Sequence, residues 1–537
     1  MGHTRGMPNT PLRITTASEM REIDRLSEHE YGIDAMLLME NAGRAAAQII
    51  LERMPNAGRD SEILVFAGKG NNAGDAFVVA RRLLCLGRRV RVFHLDNGSR
   101  YHGATLRNFE ILKKLKARMT AIENPSELED FFSANSGPFT AIDGILGTGL
   151  KGQIEGIFYD VVQLINQHVN EIVALDIPTG VSGESGEIKG TAIQASLTVS
   201  FGFPKLGHFL PPGAAKRGEL INVDISLPPK FRKEGDKFLL MPSRMAELVH
   251  SRDRYGHKNS FGHTLLIGGS PGRIGAIAMA ARAAHRIGTG LVTAATWADC
   301  LDTLMLRLPD ETMSLGIRLD RSELEGYRKM LAQVSSVVIG PGLGLRPEGK
   351  ELLKEVLSHF HGPLVLDADA LNLIADHGLH DFLIARKGST VLTPHPGEMA
   401  RLLGVPKDQV VANPVYAVQQ AVKKTHSVVL LKGAATLISS PDEKLYLNHY
   451  PNDGMATAGS GDVLAGIIGG LLGQGMNAFD ATQLGVYLHS LAGDLAAQSQ
   501  GHRGMTASDI IGNIGYAFRD LRKPPEANVI EGREKLR

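Results

Sequence analysis

The sequence predicts an α/β protein built as two successive three-layer αβα domains. Three observations lead there. Short apolar strands alternate with helix-periodic stretches along nearly the whole chain, the alternation restarts after a charged, proline-bearing break near residue 230, and several strands end in an acid or a glycine-rich loop. Strands buried on both faces of a parallel sheet read as continuous apolar runs, and each needs a helical crossover to reach its neighbour. At 537 residues the chain also exceeds what one core ordinarily encloses.

Composition narrows the function classes. With 43% hydrophobic and 21% charged residues the chain has the make-up of a soluble globular protein, and a net charge of +1 gives no electrostatic pull toward nucleic acid or an anionic membrane. Aromatic residues amount to 5%, too few for a base-stacking surface. No apolar run reaches the length of a membrane span, and Met1-Gly2-His3-Thr4-Arg5 leads into no apolar signal core. Cys85 and Cys300 are the only cysteines, far apart and in apolar surroundings. A reducing, cytoplasmic setting is expected, without disulfides or cysteine-held zinc.

Taken in order, residues 1–12 are expected to be a loose polar tail. Helical periodicity runs from Ser18 to about Arg53, with a capped start at Ala17-Ser18-Glu19. Strands are expected at 62–67, 90–95, 139–143, 172–176, 198–201 and 219–224, with a helix from Asp75 to Leu86. The run Leu227-Pro228-Pro229-Lys230-Phe231-Arg232-Lys233 marks a boundary. The domains are therefore expected at 13–228 and 241–522, with a linker at 229–240 and a polar tail at 523–537. In the second domain, strands are expected at 264–267, 291–295, 336–339, 364–367, 390–393 and 428–431, and helices from Ile277 to Ile287 and from Ala481 to Ala497.

In the first domain, Gly68-Lys69-Gly70-Asn71-Asn72-Ala73-Gly74-Asp75 follows a strand and opens a helix, the setting of a dinucleotide loop. Its middle departs from G-x-G-x-x-G by an Asn pair, whose amides suit a polar ligand or a hard cation. Two more loops leave strand ends with an acid first: Asp143-Gly144-Ile145-Leu146-Gly147-Thr148-Gly149-Leu150 and Asp176-Ile177-Pro178-Thr179-Gly180. Carboxyl ends of neighbouring parallel strands converge on one crevice, so Asn72, Asp143 and Thr179 are expected to offer oxygens to one cation, with Asp176 free for proton chemistry. Read singly, each acid is equally a turn or capping residue.

These loops, together with Phe203-Pro204-Lys205-Leu206-Gly207, resemble the NAD(P)H-hydrate epimerase domain, over about Leu12 to Leu227. The resemblance implies a Rossmann-like αβα fold. It also implies hydrate contacts from Asn71, Asn72, Ala73, Gly74 and Asp75 and from Gly147, Thr148, Gly149, Leu150, Lys151, Gly152 and Gln153. Potassium would be held by Asn72, Asp143 and Thr179, and Asp176 would be the acid–base group. Where the family carries glycines, Ala73 and Ala76 add methyl groups able to crowd the ligand.

The second domain is organised around Pro451-Asn452-Asp453-Gly454-Met455-Ala456-Thr457-Ala458-Gly459-Ser460-Gly461-Asp462, which runs into an apolar helix. Unpaired N–H groups at such a helix start, at the positive end of its dipole, suit phosphate oxygens. Asp462 is then a base beside bound phosphates, or an ordinary N-cap. Lys432, in Lys432-Gly433-Ala434-Ala435-Thr436, is placed to neutralise a phosphate. His395, between Pro394 and Pro396, is a structural residue or a ligand contact. Neither a Walker loop nor a protein-kinase motif set is present.

Gly269-Ser270-Pro271-Gly272, Gly340-Pro341-Gly342-Leu343-Gly344, Asp367-Ala368-Asp369-Ala370-Leu371-Asn372, Thr393-Pro394-His395-Pro396-Gly397-Glu398 and Gly459-Ser460-Gly461-Asp462 together resemble the ribokinase-like ADP-dependent NAD(P)H-hydrate dehydratase domain, over about Met241 to Leu521. The resemblance implies ADP, with Mg2+, at Lys432, Gly433, Ala434, Ala435 and Thr436 and at Asn452, Gly454, Met455, Ala456, Thr457, Ala458, Gly459, Ser460 and Gly461. Ala276, Gly342, His395 and Asp462 would line the hydrate pocket. Asp453 departs from the family's usual neutral residue. Both halves thus point to repair of NADH hydrate and NADPH hydrate by a homo-oligomer, with no nucleic-acid or membrane partner. The competing expectation is a small-molecule kinase fused to a non-catalytic nucleotide-binding module.

Overall fold

The computed structural model describes residues 12–521 except 60, 97–99, 151 and 443, together with the backbone of 533–536; of 321–323 it describes the backbone alone. The chain divides into two compact units, the break falling between Gly235 and Asp236, inside the stretch expected as a linker. That stretch is not irregular: Lys230–Lys233 is a helical turn of the first unit, and Lys237–Leu239 is a strand of the second. Of the two expected tails, residues 1–11 and 523–532 lie outside the described residues, whereas Leu12 opens the short strand Leu12–Arg13 and Arg533–Leu536 is a strand antiparallel to Glu219–Val223.

In the first unit the sheet order is Glu219–Val223, Leu197–Phe201, Glu171–Leu175, Thr140–Gly144, Ile63–Ala67, Val90–His94, Arg118–Ala121, all parallel. The pleat divides the core in two. Ile63, Val65 and Ala67 join a cluster with Ala46, Ile50, Phe77 and Phe109, while Leu64 and Phe66 join Leu128, Phe132, Val161 and Ile165 on the opposite face. Helices therefore cover both faces, giving three layers. The single helical stretch expected before the first strand is two helices, Ala17–Tyr31 and Ala35–Arg53. Gly32, at φ 69°, closes the first, and the Asp34 side chain caps the second.

In the second unit the parallel strands run Met313–Ile317, Leu291–Trp297, His263–Ile267, Ser336–Ile339, Leu364–Leu366, Thr390–Leu392, Val428–Leu431. Ala435–Ser439 and Leu445–His449 then continue the sheet antiparallel, as a hairpin absent from the sequence expectation. The glycine-rich helix Ser460–Gly473 packs on Ile274–Arg286 and on the sheet. A Cβ at Gly466 would lie 2.2 Å from the Ala280 carbonyl oxygen, and one at Gly469 2.2 Å from Val338 Cγ2, so the missing side chains let the helix approach closely. Its first turn lies with the carboxyl-end loops of the sheet, beside Lys432.

Candidate active sites

In the first unit, strand order reverses between Ile63–Ala67 and Thr140–Gly144, and loops from the carboxyl ends of these strands and of Glu171–Leu175 surround a cavity of about 530 Å³. A Cβ at Gly68 would stand 1.9 Å from the Ile145 carbonyl oxygen, so glycine alone lets the two central loops meet. Of the expected hydrate contacts, Asn71, Asn72, Asp75, Gly147, Thr148, Gly149 and Leu150 line the cavity. Ala73 and Gly74 do not. Ala73 and Ala76 are fully enclosed in the helix–sheet core, so their methyl groups face packing rather than the cavity, and Gly74 abuts Met39 and Thr105. Gly152 and Gln153 are outside the lining, and Lys151 falls outside the described residues.

Asp176 lines the same cavity with φ 64°, a left-handed backbone that a residue with a Cβ adopts at a cost. Its neighbours hold it there. Oδ1 takes the Lys205 ammonium and the Phe201 N–H at 3.2 Å. His208 Nδ1 accepts from the Lys205 N–H at 3.0 Å, so Nε2 carries the ring proton and donates to the Asp176 carbonyl at 2.9 Å. Burial, with Lys205 and Arg217 close by, holds His208 well below its usual range and therefore neutral. The Lys205 side chain is 0% exposed and also donates to the Phe201 carbonyl at 2.9 Å.

Two further acids face this cavity. Asp24, from the helix Ala17–Tyr31, has an enclosed Oδ1 with no partner among the described residues. Burial pushes its carboxyl up to about 7, with Lys205 pulling down and Asp176 pushing up. Asp75 is likewise raised well above the usual carboxylate range, by burial first and then by Asp176 and Asp24.

Asp143 does not line the cavity. Its Oδ1 accepts from Thr179 Oγ1 at 2.6 Å and from the Ile145 N–H at 3.1 Å, and its Oδ2 from the Thr179 N–H at 2.8 Å. Burial still pushes it up to about 6. Asn72 is buried with neither Oδ1 nor Nδ2 partnered among the described residues. An orphaned amide oxygen, a hydroxyl and a carboxylate that burial disfavours as an anion are the kinds of donor a hard cation takes.

In the second unit, Asp367 follows the strand Leu364–Leu366 and accepts from Thr393 Oγ1 at 2.6 Å and from Lys432 Nζ at 2.9 Å, both on Oδ1. Glu398 Oε2 lies 3.8 Å from the same ammonium. The site a Cβ would occupy on Gly461 is 3.3 Å from Lys432 Nζ, which places the lysine against the first turn of Ser460–Gly473. Burial, then Asp367, push the Asp462 carboxyl up to about 7, while Lys432 opposes them. Ser460 Oγ lies 3.3 Å from Nε2 of the buried His489, whose ring burial holds down at about 4.

His395 is placed first of all as a cap: its Nδ1 accepts the Gly397 and Glu398 N–H groups at 2.9 and 3.2 Å. Gly342 and Ala276 come together, a Cβ on the first being 3.1 Å from that of the second. Within the expected nucleotide loops, Gly433 and Ala434 form an exposed turn, and Asn452 caps the Gly454 N–H at 3.0 Å. The Asp453 charge faces outward, 2.6 Å from His502 Nδ1. Asp367, Asp369, Glu398 and Asp462 gather around Lys432, with Arg273 3.4 Å from Asp369, but among the described residues no three acidic or histidine side chains are grouped to hold a metal ion by themselves.

Known proteins match along both units. Residues 35–207 match the family described as YjeF-related protein N-terminus, and residues 264–515 the family described as NAD(P)H-hydrate dehydratase. A bifunctional NAD(P)H-hydrate repair enzyme from Moorella thermoacetica is 40% identical over 97% of this chain and 99% of its own. The chain belongs to the bifunctional NAD(P)H-hydrate repair enzyme family. The Escherichia coli member is 31% identical over 94% of this chain and 93% of its own. A solved ADP/ATP-dependent NAD(P)H-hydrate dehydratase from Bacillus subtilis, co-crystallised with ATP and Mg2+, is 26% identical over 52% of this chain and 97% of that one, with a TM-score of 0.45. Membership favours the repair reading over a kinase fused to a binding module.

Within this repair-enzyme chain, sequence reasoning gave no role to Asp24, Lys205, Asp369 or Glu398. Asp24 carried a signal. It lies four residues after buried Met20 and three before buried Ser27, an acid on the covered stripe of an amphipathic helix. Lys205, set between Phe203-Pro204 and Leu206, carried the same kind of signal.

Proposed function

We propose that the chain repairs hydrated nicotinamide cofactors in two steps. The first unit equilibrates the R and S hydrates of NADH and NADPH, and the second dehydrates the S form at the expense of ADP. The observation that carries this reading is that each unit sets one acid near a lysine at the carboxyl ends of a parallel sheet: Asp176 with the enclosed Lys205, and Asp462 with the half-buried Lys432.

In the second unit the chemical obstacle is that hydroxide leaves poorly. Asp462 takes the C6 hydroxyl proton as that oxygen attacks the terminal phosphorus of ADP, whose bond to AMP breaks. Phosphate then leaves C6, and loss of the C5 proton restores the dihydronicotinamide. Lys432 and the N–H groups opening Ser460–Gly473 meet the transferred charge. Lys432 to Thr436 and Asn452 to Gly461 would hold the nucleotide. Mg2+ brought with the diphosphate would neutralise phosphate charge.

In the first unit Asp176, ion-paired to Lys205, is the acid–base group. Asn72, Asp143 and Thr179 would hold potassium, which would supply the positive charge that the enclosed Asp143 otherwise lacks.

The test is recovery of dihydronicotinamide absorbance from purified R and S hydrates with ADP and Mg2+ in potassium buffer. Both epimers recover on this reading. Recovery of the S form alone overturns the first half, and accumulation of a stable phosphorylated product overturns the second.

A further inference from the structure

Three half-buried acids, Asp24, Asp75 and Asp176, and one enclosed ammonium, Lys205, line the first cavity, whose exposed rim adds Glu28, Arg21, Arg25 and Lys69. Lys205 is committed to Asp176 and to the Phe201 carbonyl. Asp24 is placed differently. It stands on the cavity wall, one helical turn after Met20 and one before Glu28, which line the same wall, and its Oδ1 is enclosed without a partner among the described residues. A buried polar oxygen that the protein itself leaves unpaired is costly unless a ligand completes it.

We propose that Asp24 is a second catalytic residue for hydrate epimerisation, the acid that serves the departing hydroxyl while Asp176, held by Lys205, faces the ring. This rests on the epimerase reading above. The ring-nitrogen lone pair forms a C=N bond as the C6–O bond breaks, and the Asp24 carboxyl gives its proton to the hydroxyl, which leaves as water. Water then adds to the other face of C6 as Asp176 takes its surplus proton, the C=N pair returns to nitrogen, and that proton passes back through solvent to the Asp24 carboxylate. Nothing is consumed. Burial, which pushes the Asp24 carboxyl up to about 7, keeps a proton available near neutrality.

The experiment uses the full chain with Asp24→Asn and Asp24→Glu, following interconversion of purified R and S hydrates without ADP. Dehydration of the S form with ADP, which belongs to the other unit, reports that the protein is intact. Asp24→Asn is expected to slow interconversion by about 10²-fold or more, leaving S dehydration unchanged, with Asp24→Glu recovering part of the rate. Interconversion by Asp24→Asn within about threefold of the unsubstituted chain overturns the inference alone. If Asp24→Asn lowers the unfolding temperature, the unsubstituted chain decides: a rate that falls as pH rises through about 7 supports Asp24, and one flat from pH 6 to 8 overturns it. If the unsubstituted chain interconverts the hydrates no faster than they do spontaneously, the epimerase reading falls, and this inference with it.

Discussion

Lys432 Nζ lies 2.9 Å from Asp367 Oδ1, the same oxygen that accepts the Thr393 hydroxyl. One carboxylate at a strand end thus fixes the ammonium that also faces Glu398 and the first turn of Ser460–Gly473. Replacing Lys432 by Met leaves Asp367, Glu398 and Asp462 to repel one another. Dehydration is expected to fall by about 10²-fold or more, and stability by about 3–5 kcal/mol at pH 8, the cost of stranding a buried charge. Carboxyls relieved of the ammonium take up protons readily, so the deficit narrows on moving to pH 6. Urea unfolding at both pH values checks this; an equal deficit at the two contradicts it.

Asp462 has a folded-state carboxyl at about 7, above its unfolded value of 3.8. Between those values the native state binds a proton that the unfolded chain has released, so stability is lost as pH rises through that window. Asp462→Asn removes the penalty. The variant is expected to dehydrate nothing, to match the parent near pH 4, and to be more stable than the parent at pH 8 by on the order of 2 kcal/mol. Parent kcat/KM for dehydration should rise with pH and level off above about 7, as a base with that value requires.

Gly68→Ala places a methyl group where the Ile145 carbonyl oxygen stands 1.9 Å away. Two backbone segments must separate, at a cost of about 3 kcal/mol. Calorimetry should show a lowered transition, and hydrate interconversion should fall while S dehydration persists.

Asn72→Ala removes two unpartnered enclosed polar atoms. Without potassium the variant is expected to be no less stable than the parent, since nothing paired is lost. The parent's thermal midpoint should rise in potassium chloride relative to choline chloride and the variant's should not; equal responses argue against a cation at this position.

The strand-ending acids Asp143, Asp176 and Asp367 were legible because an apolar run that closes on a charge has few explanations in a buried parallel sheet. The helix start at Ser460 was legible from its glycines. What stayed hidden was pairing across distance. Nothing in the local sequence says that Lys205 closes on Asp176, or that Lys432 first meets two carboxylates rather than a phosphate. Asp24 stayed hidden because its helix is separated in sequence from every motif, and it reaches the cavity only through packing. The alanines at 73 and 76 misled for a related reason: in a loop that opens a helix, side-chain direction is set by the helix, which turns both into the core. The hairpin strand Ala435–Ser439 stayed hidden because its start overlaps residues read as a nucleotide loop, and the strand Arg533–Leu536 carries too much charge to announce itself.

The enclosure of Lys205 has an evolutionary consequence. Losing Asp176 alone strands an ammonium with no exposed surface, and losing Lys205 alone strands the carboxylate, so either single step costs about 3–5 kcal/mol. A lineage with no further need of the first reaction would still be punished for discarding either partner. The pair acts as a ratchet: it can be abandoned only by simultaneous replacement, so the chemistry at this position should outlast the selection that favoured it.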